Sequence, residues 1–365
     1  MKVKLVDVCT CESSNLKQSD VINISGKYPV YGATGKIGYI DTYKQEKTYI
    51  AIVKDGAGIG RTHLCDSKSS VIGTLQYILP KDNVLPEYLF YVIKHMHLEK
   101  YYSGATIPHI YFKNYKNEEF NLDSINKQET IIYILNDCNK LINLKETQLQ
   151  KYDDLIKARF VEMFGDIHDN DSEFDVVTIE DVCSLIKDGT HQTPQYIENK
   201  EEGYKFLSSK DVMSQKIDWT NMKYIPAELH KKLYASIKPR RNDILMSKNG
   251  VNYGVAAVND TDEVFDIYVS LALLRPKPII NPIFFRCVIN NPGTKRQFDS
   301  NIKGIGVPNL HLREIKKTRI ILPPMELQNE FVSFVQQVDK SKLAVQQSLE
   351  KTQQLFDSLM QEYFG

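Results

Sequence analysis

The 365-residue chain contains a long internal repeat, in which residues 103–165 align with residues 303–365 without a single gap. Identical residues are spread along the whole alignment: Gly104 and Gly304, Pro108 and Pro308, Lys116 and Lys316, Leu122 and Leu322, Gln128 and Gln328, Leu149 and Leu349, Lys151 and Lys351, Leu155 and Leu355, and the closing Phe164-Gly165 and Phe364-Gly365. A repeat of this length predicts that one structural unit occurs twice in the fold.

The second half of each copy predicts a long amphipathic helix. Apolar residues follow spacings of four and three, and no proline or glycine occurs within residues 126–164 or 325–364. Gly165 and Gly365 follow directly, as is typical of helix C-termini. Because an apolar seam of this kind needs a partner, we expect the two helices to pair with each other in antiparallel fashion. The alternative is that each helix packs only on its own domain.

Each predicted helix follows a segment rich in short strands and turns. Residues 28–64 alternate strand-like runs with glycine pairs, and residues 243–258 resemble the later part of that segment. The polar, acidic residues 166–173 are typical of a linker. The predicted fold class is therefore mixed α and β (α+β), with two β-rich domains joined by two long antiparallel helices in a pseudo-two-fold repeat. The expected order is a first domain over 1–124, a helix over 125–165, a linker and second domain over 166–323, and a helix over 324–365.

The charge of the chain is balanced overall but uneven along its length. Forty-six basic residues match 46 acidic residues, for a formal net charge of zero. Residues 204–256, however, hold ten lysines and arginines against four acidic residues. Phosphate binding depends on a local basic face and not on the average charge. The composition therefore permits a nucleic-acid partner without requiring one.

Composition and motifs also limit where in the cell the protein is expected and what chemistry it could perform. The six cysteines form no C-x-x-C pair, so we expect reduced, mostly buried thiols without zinc or disulfides. With no apolar run of 18 residues and no signal peptide, a cytoplasmic protein is expected. Residues 56–60 (GAGIG) predict a structural turn, because a strand and not a helix should follow, and residues 32–36 lack the full phosphate-loop pattern. No motif typical of a methyltransferase, nuclease or hydrolase occurs, which favours binding over catalysis.

Several polar turns of the second half have side chains that suit base and phosphate contacts. They are residues 188–194 (DGTHQTP), 208–211 (SSKD) and 248–250 (KNG). Each of them could equally be an ordinary β-turn stabilised by its own side chains. Their occurrence together in a duplicated scaffold favours a recognition surface.

In five segments the chain resembles the DNA-specificity (S) subunits of type I restriction-modification enzymes. Residues 28–40 (YPVYGATGKIGYI) look like the first-half signature of that family. Residues 188–194, followed by 206–212, look like its other common form. Residues 306–310 and 322–328 look like the passage from recognition domain into helix. The ordered set is highly specific and covers essentially the whole chain.

The resemblance implies a fold and a role. Two target recognition domains, joined by two antiparallel helices, would each read one half of a split, asymmetric site in double-stranded DNA. The helices would dock two methyltransferase subunits, and restriction subunits would then join the complex. The chain itself would hold no catalytic residue, metal or cofactor, since S-adenosylmethionine, ATP and magnesium would be bound by the partner subunits. About 36 helical residues at ~1.5 Å each would span roughly 54 Å, enough to separate the domains by one turn of B-DNA, about 34–36 Å.

The predicted DNA contacts fall into two groups. Basic side chains expected to bind phosphate are Lys54, Arg61, Lys210, Arg241 and Lys248. Side chains expected to read base edges are Tyr31, Thr34, Lys36 and His63 in the first domain, and Thr190, His191, Thr193, Ser209 and Asn252 in the second. Two other functions stay open, a stand-alone DNA-modifying enzyme and a coiled-coil scaffold that binds only protein.

Overall fold

The computed structural model of the chain describes residues 1–22, 24–104, 108–165, 174–198, 201–302 and 308–365. The predicted linker, residues 166–173, lies outside the described residues, as do Gly304 and Val307 of the second repeat copy. Within the described ranges the chain alternates short strands with helices, in agreement with the predicted mixed fold class.

The first half of the chain ends in a helix of 40 residues, α4 (Ile125–Phe164). The preceding strands are β1 (Lys2–Lys4), β2 (Cys9–Ser13), β3 (Tyr28–Gly32), β4 (Gly35–Ile40), β5 (Tyr49–Val53), β6 (Thr62–Cys65), β7 (Ser70–Val71), β8 (Leu75–Pro80) and β9 (Glu119–Asn121). The shorter helices are α1 (Leu5–Val8), α2 (Pro86–His95) and α3 (Phe112–Tyr115), with 3-10 turns at Gln18–Asp20 and Leu98–Tyr101.

The second half ends in a helix of the same length, α10 (Met325–Phe364). Its strands are β10 (Asp175–Thr178), β11 (Cys183–Asp188), β12 (Gly203–Leu207), β13 (Lys223–Pro226), β14 (Ile244–Ser247), β15 (Ala256–Val258), β16 (Phe265–Ile267), β17 (Leu271–Pro276) and β18 (Arg319–Leu322). The shorter helices are α5 (Ile179–Val182), α6 (Ala227–Ser236), α7 (Pro282–Ile289), α8 (Pro292–Asn301) and α9 (Leu312–Lys317), with a 3-10 turn at Ser209–Val212.

The two halves repeat one strand order. The first half has a four-stranded sheet in the order β2-β8-β5-β6 and a three-stranded sheet in the order β4-β3-β7. The second half has β11-β17-β14-β15 and β13-β12-β16 in the same roles. In each three-stranded sheet one pair is parallel, β3 with β7 and β12 with β16. The duplication predicted from residues 103–165 and 303–365 therefore extends over the strands as well.

One central strand of each four-stranded sheet, β5 or β14, is buried along its whole length, as its largely apolar sequence predicts. Successive side chains of a strand point to opposite faces. In β5, Ile50 and Ile52 therefore pack in the core that contains α2, whereas Ala51 and Val53 pack in the core that contains β3. Strand β14 divides its side chains between two cores in the same way.

Packing divides the chain into two compact units, and each long helix contributes to both. Unit 1 comprises residues 1–148 and 345–365, and unit 2 comprises residues 149–344. The end of α10 therefore belongs to the unit that the first half of the chain builds. Likewise, the end of α4 belongs to the unit that the second half builds.

The two long helices pair in antiparallel fashion inside each unit. In unit 1, Leu135 near the start of α4 shares a buried cluster with Phe356 near the end of α10. In unit 2, Phe160 near the end of α4 lies 5.6 Å from Phe331 near the start of α10, measured between ring centroids. The predicted pairing of the helices is confirmed, and the alternative that each helix packs only on its own domain is wrong.

A repeated glutamine ties the start of each long helix to a neighbouring helix. The Oε1 atom of Gln128 accepts a hydrogen bond from the backbone N–H of Leu85 at 2.8 Å, directly before α2. The Oε1 atom of Gln328 accepts one from Asn281 at 2.8 Å, directly before α7. Both glutamines are fully buried. The match found in the sequence between Gln128 and Gln328 therefore reflects a shared structural role.

Three smaller features bear on the sequence analysis. Residues 56–60 form a turn between β5 and β6, so the glycine-rich run leads into a strand as predicted. All six cysteines are free thiols, and four of them are buried. In the described ranges, no helix is both long and apolar enough to cross a bilayer.

Candidate nucleic-acid interface

The predicted contacts of unit 1 gather around the two-residue turn between β3 and β4. Thr34 is the exposed second residue of this turn. The Nη1 atom of Arg61 donates a hydrogen bond to the carbonyl of Ala33 at 3.0 Å. The Nε2 atom of His63 lies 3.2 Å from the same carbonyl. Thr34 and the pair Arg61 and His63, which are distant from it in the sequence, thus form one surface.

Tyr31 and Lys36 extend this surface but differ in exposure. The hydroxyl of Tyr31 donates to Asp66 at 2.8 Å, and the Nζ atom of Lys36 lies 3.3 Å from the same carboxylate oxygen. Tyr31 is only 7% exposed, and burial raises the pKa of its hydroxyl to about 12. Lys36 remains exposed. Lys36 is therefore available to a ligand, whereas Tyr31 mainly holds the carboxylate of Asp66 in place.

Lys54 belongs to an ionic cluster on the loop after β5. Its ammonium group pairs with the carboxylate of Asp55, and the Nδ1 atom of His109 lies 2.7 Å from that carboxylate. Burial by itself would raise the pKa of Asp55, but hydrogen bonds from Lys54 and His109 outweigh this effect and lower the pKa. His109 was missed by the sequence analysis, because only the backbone pairing of positions 55 and 109 brings the two side chains together.

In unit 2, Asp188 organises the corresponding cluster. The Nζ atom of Lys248 lies 2.9 Å from its carboxylate, and the Nε2 atom of His191 lies 3.4 Å from the same oxygen. The side chain of Lys248 is 5% exposed and that of His191 is 73% exposed. Because its charge is already matched by Asp188, Lys248 is placed to hold the loop together, and His191 is the exposed member.

The polar loop after β11 is fixed to the segment after β16. The backbone N–H of Thr190 donates to the carbonyl of Ile267 at 3.1 Å. The hydroxyl of Thr193 lies 3.3 Å from the hydroxyl of Tyr268. Tyr268 was not predicted as a site residue, and nothing in its local sequence indicates that it meets residues 190–193. The loop therefore presents its exposed side chains from a rigid backbone.

The other predicted contacts of unit 2 lie on separate turns. The backbone N–H of Ser209 donates to the hydroxyl of Ser270 at 3.0 Å, and the neighbouring Lys210 is exposed. Asn252 is exposed in the turn between β14 and β15. Arg241 forms a bidentate ion pair with Asp262 on an exposed loop, and its Nη2 atom lies 2.7 Å from Oδ2 of Asp262. Which of these side chains touch DNA stays a prediction.

The loops that hold Lys54 and Lys248 have the same backbone geometry. The N–H of Gly56 donates to the carbonyl of Pro108 at 3.0 Å, and the N–H of Gly250 donates to that of Pro308 at 3.0 Å. Gly56 and Gly250 both have a positive φ, which glycine adopts without strain.

In the described part of the chain, no group of three histidine, cysteine or acidic side chains is placed to hold a metal ion.

Comparison with known proteins identifies the family. The family model of the type I restriction modification DNA specificity domain matches residues 1–151 and 171–354. The chain belongs to this family. Members of the family recognise DNA targets and are generally non-catalytic. The chain is therefore a type I specificity protein, as the resemblance in the sequence implied.

Known relatives of this specificity protein span most of its length. It is 23% identical over 307 residues to the type I restriction enzyme MjaIX specificity subunit of Methanocaldococcus jannaschii, covering 78% of this chain and 69% of the relative. It is 20% identical over 343 residues to a putative type I specificity subunit of Mycoplasma pneumoniae, covering 90% and 86%.

Two solved structures share the fold. The first is the crystal structure of the S subunit of a type I restriction-modification system from M. genitalium, with a TM-score of 0.60 at 16% identity, covering 100% of this chain and 96% of that one. The second comes from work on complex assembly and conformational transition of the type I system, with a TM-score of 0.54 at 14% identity, covering 100% and 97%.

Proposed function

We propose that the chain reads a split, asymmetric target in double-stranded DNA, one half with each unit. The single observation that carries this proposal is that two copies of one strand order present different side chains at equivalent loop positions. In the equivalent loops after β5 and β14, Asp55 faces His109 in unit 1, whereas Asn249 faces Asn309 in unit 2. Because different polar side chains read different base edges, the two half-sites should differ in sequence.

Exposed basic side chains supply the affinity that does not depend on sequence. Arg61 fills this role in unit 1, and Lys210 and Arg241 fill it in unit 2. Contacts of this kind release counterions from DNA, so binding should weaken as the salt concentration rises.

The long helices are the proposed docking sites for two methyltransferase subunits, which restriction subunits then join. Exposed apolar side chains along a helix are typical of a surface that a protein partner covers. Such side chains occur on both helices: Tyr133, Leu141, Leu144 and Leu155 on α4, and Leu343 and Leu355 on α10. We place adenine methylation with S-adenosylmethionine, and cleavage with ATP and magnesium, in the partner subunits.

Exchanging residues 1–124 for the equivalent segment of another family member is expected to change one half-site and leave the other unchanged. The reason is that the predicted contacts of unit 1 all lie within this segment, whereas those of unit 2 lie after residue 165. The measurement is methylome sequencing of a host that expresses the exchanged chain with its methyltransferase partner. Exchange of residues 166–323 is the matched control and should change only the other half-site. A change in both half-sites after either exchange would contradict the proposal.

Shortening both long helices by one turn is expected to change the unread gap between the half-sites. Deleting Leu149–Tyr152 removes about 6 Å of α4, and deleting residues 343–346 from α10 keeps the antiparallel seam in register. We expect both half-site sequences to persist while the gap shifts by about two base pairs, since one base step is about 3.4 Å. Methylome sequencing again gives the readout, and an unchanged gap would show that the helices do not set the spacing.

A further inference from the structure

Unit 2 contains a pocket that none of the predicted DNA contacts lines. It has a volume of about 230 Å³ and lies among α4, α7, α10 and the turn after Ser209–Val212. Pockets for drug-sized ligands measure about 300–1,000 Å³, whereas one water occupies about 30 Å³ of liquid. The pocket therefore has room for a ligand of a few heavy atoms.

The side chain of Arg286 lies in this pocket without a close acceptor. It is only 10% exposed, and its Nε atom has no hydrogen-bond partner among the described residues. Its Nη1 atom lies 3.5 Å from the carbonyl of Gln215, and its Nη2 atom lies 3.8 Å from the carboxylate of Asp339. Well-formed N–H···O bonds measure about 2.7–3.2 Å. The guanidinium of Arg286 is thus buried but poorly bonded.

A partly buried arginine of unit 2, Arg275, is fully paired by comparison. The Nε and Nη2 atoms of Arg275 each donate to the carboxylate of Asp243 at 2.8 Å. Burying a charge is costly unless the charge is paired and hydrogen-bonded. Arg275 meets this condition through the protein alone, whereas Arg286 does not.

The pocket carries an excess of positive charge. Each of the four lining cations has an acidic neighbour: Lys342 pairs with Asp153, the Nζ atom of Lys157 lies 3.1 Å from Asp154, and Lys216 and Arg286 lie 4.0 Å and 3.8 Å from Asp339. Because Lys157 is paired with Asp154 and the other three cations share two carboxylates, the lining side chains Lys216, Arg286, Lys342, Asp153 and Asp339 leave a net charge of +1. A bound anion would neutralise this excess.

Unit 1 fills the equivalent position with neutral side chains. Helices α2 and α7 align from their first prolines, so Phe90 and Tyr91 stand where α7 has Arg286 and Cys287. Asn139 of α4, the repeat equivalent of Asp339, donates to the hydroxyl of Tyr91 at 2.8 Å. The fold therefore does not require a charged pocket here, and unit 2 departs from the repeat at this position.

We propose that this pocket of unit 2 is a binding site for a small oxyanion, with phosphate as the matching ligand and Arg286 as its main contact. The planar guanidinium offers parallel N–H donors that suit two oxygens of one anion. A phosphate group offers three strong acceptor oxygens and a negative charge, which suit the donors and the positive excess of the pocket. The site is independent of DNA reading, so its occupancy can be measured without DNA or partner subunits.

The test is titration of the purified full chain with inorganic phosphate at constant ionic strength, followed by calorimetry and by phosphorus NMR. We expect saturable binding of one phosphate per chain, and Arg286→Met should weaken it by roughly tenfold or more because it removes the charge-assisted bonds. The matched control is Arg313→Met, since the side chain of Arg313 is 77% exposed and lies outside the pocket. This variant should bind phosphate as the unaltered chain does.

A second variant keeps the test decisive if Arg286→Met fails to fold. Lys216→Met alters a lining cation whose side chain is 57% exposed, so the fold should persist while phosphate binding weakens several-fold. Acetate, which offers only two oxygens, should bind several-fold more weakly than phosphate if the number of acceptor oxygens selects the ligand. Absence of saturable binding up to about 10 mM phosphate, unaltered affinity in both pocket variants, or equal binding of acetate would overturn the proposal.

Discussion

Replacing Phe164 with alanine is expected to lower the free energy of unfolding of unit 2 by about 3–5 kcal/mol, the range for removal of a buried phenylalanine. Phe164 is 1% exposed at the end of α4. Its ring centroid lies 5.2 Å from that of Phe284 on α7 and 5.6 Å from that of Phe331 on α10. Truncation would open a cavity where three helices meet. Urea unfolding monitored by circular dichroism measures the loss.

Two further variants serve as controls for Phe164→Ala. Val161→Ala changes an exposed apolar residue on the same helix and should shift stability by about 0.5 kcal/mol or less. Phe364→Ala alters the repeat equivalent at the end of α10, where the ring is only half-buried and packs 5.4 Å from Tyr88. Its effect on unit 1 should be smaller than that of Phe164→Ala. Equal losses for Phe164 and Val161 would mean that the aromatic cluster does not anchor the helix.

Replacing Asp188 with asparagine is expected to destabilise unit 2 by about 3 kcal/mol, near the lower end of the cost of breaking a buried ion pair. Asp188 is the partner that the Nζ atom of Lys248 meets at 2.9 Å, and the lysine side chain is 5% exposed. The substitution keeps the shape of the side chain but leaves a buried ammonium without its counter-charge. The measured quantity is the urea midpoint of unit 2, converted to free energy.

The control for Asp188→Asn is a pair of similar chemistry on the surface. Asp262→Asn breaks the exposed contact with Arg241, where both side chains are at least half in solvent. Exposed ion pairs contribute about 0–1 kcal/mol, so this variant should be nearly neutral for stability. If the two substitutions cost the same, burial of Lys248 does not decide the energetics of the recognition loop.

Much of the fold could be predicted from the sequence because the repeat and the helix pattern are local signals. A gap-free alignment identifies the duplicated unit, and the absence of proline and glycine over residues 126–164 identifies a long helix. The pairing of the two helices followed from the need to cover an apolar seam. Antiparallel pairing also implies that the end of each helix meets the domain at the start of the other, as the composition of the two units shows.

The candidate site was less predictable, because its contacts are made by residues distant in the sequence. Asp66 meets Tyr31 only through the parallel pairing of β3 with β7. The sequence also gives no sign that Lys248 is buried, since lysine is usually exposed and its charge here is matched by Asp188, 60 positions away. Residue type alone therefore identified polar loops but not which of their side chains face outward.

The discontinuous make-up of unit 1 has a consequence for biosynthesis. Residues 345–365 are synthesised long after residues 1–148, yet Phe356 and Met360 complete the core that Ile131 and Leu135 begin. A nascent chain must therefore keep an apolar stripe of α4 uncovered by α10 until residues 345–365 have left the ribosome. Emergence of the second long helix, rather than completion of the first half, is the event that closes this core.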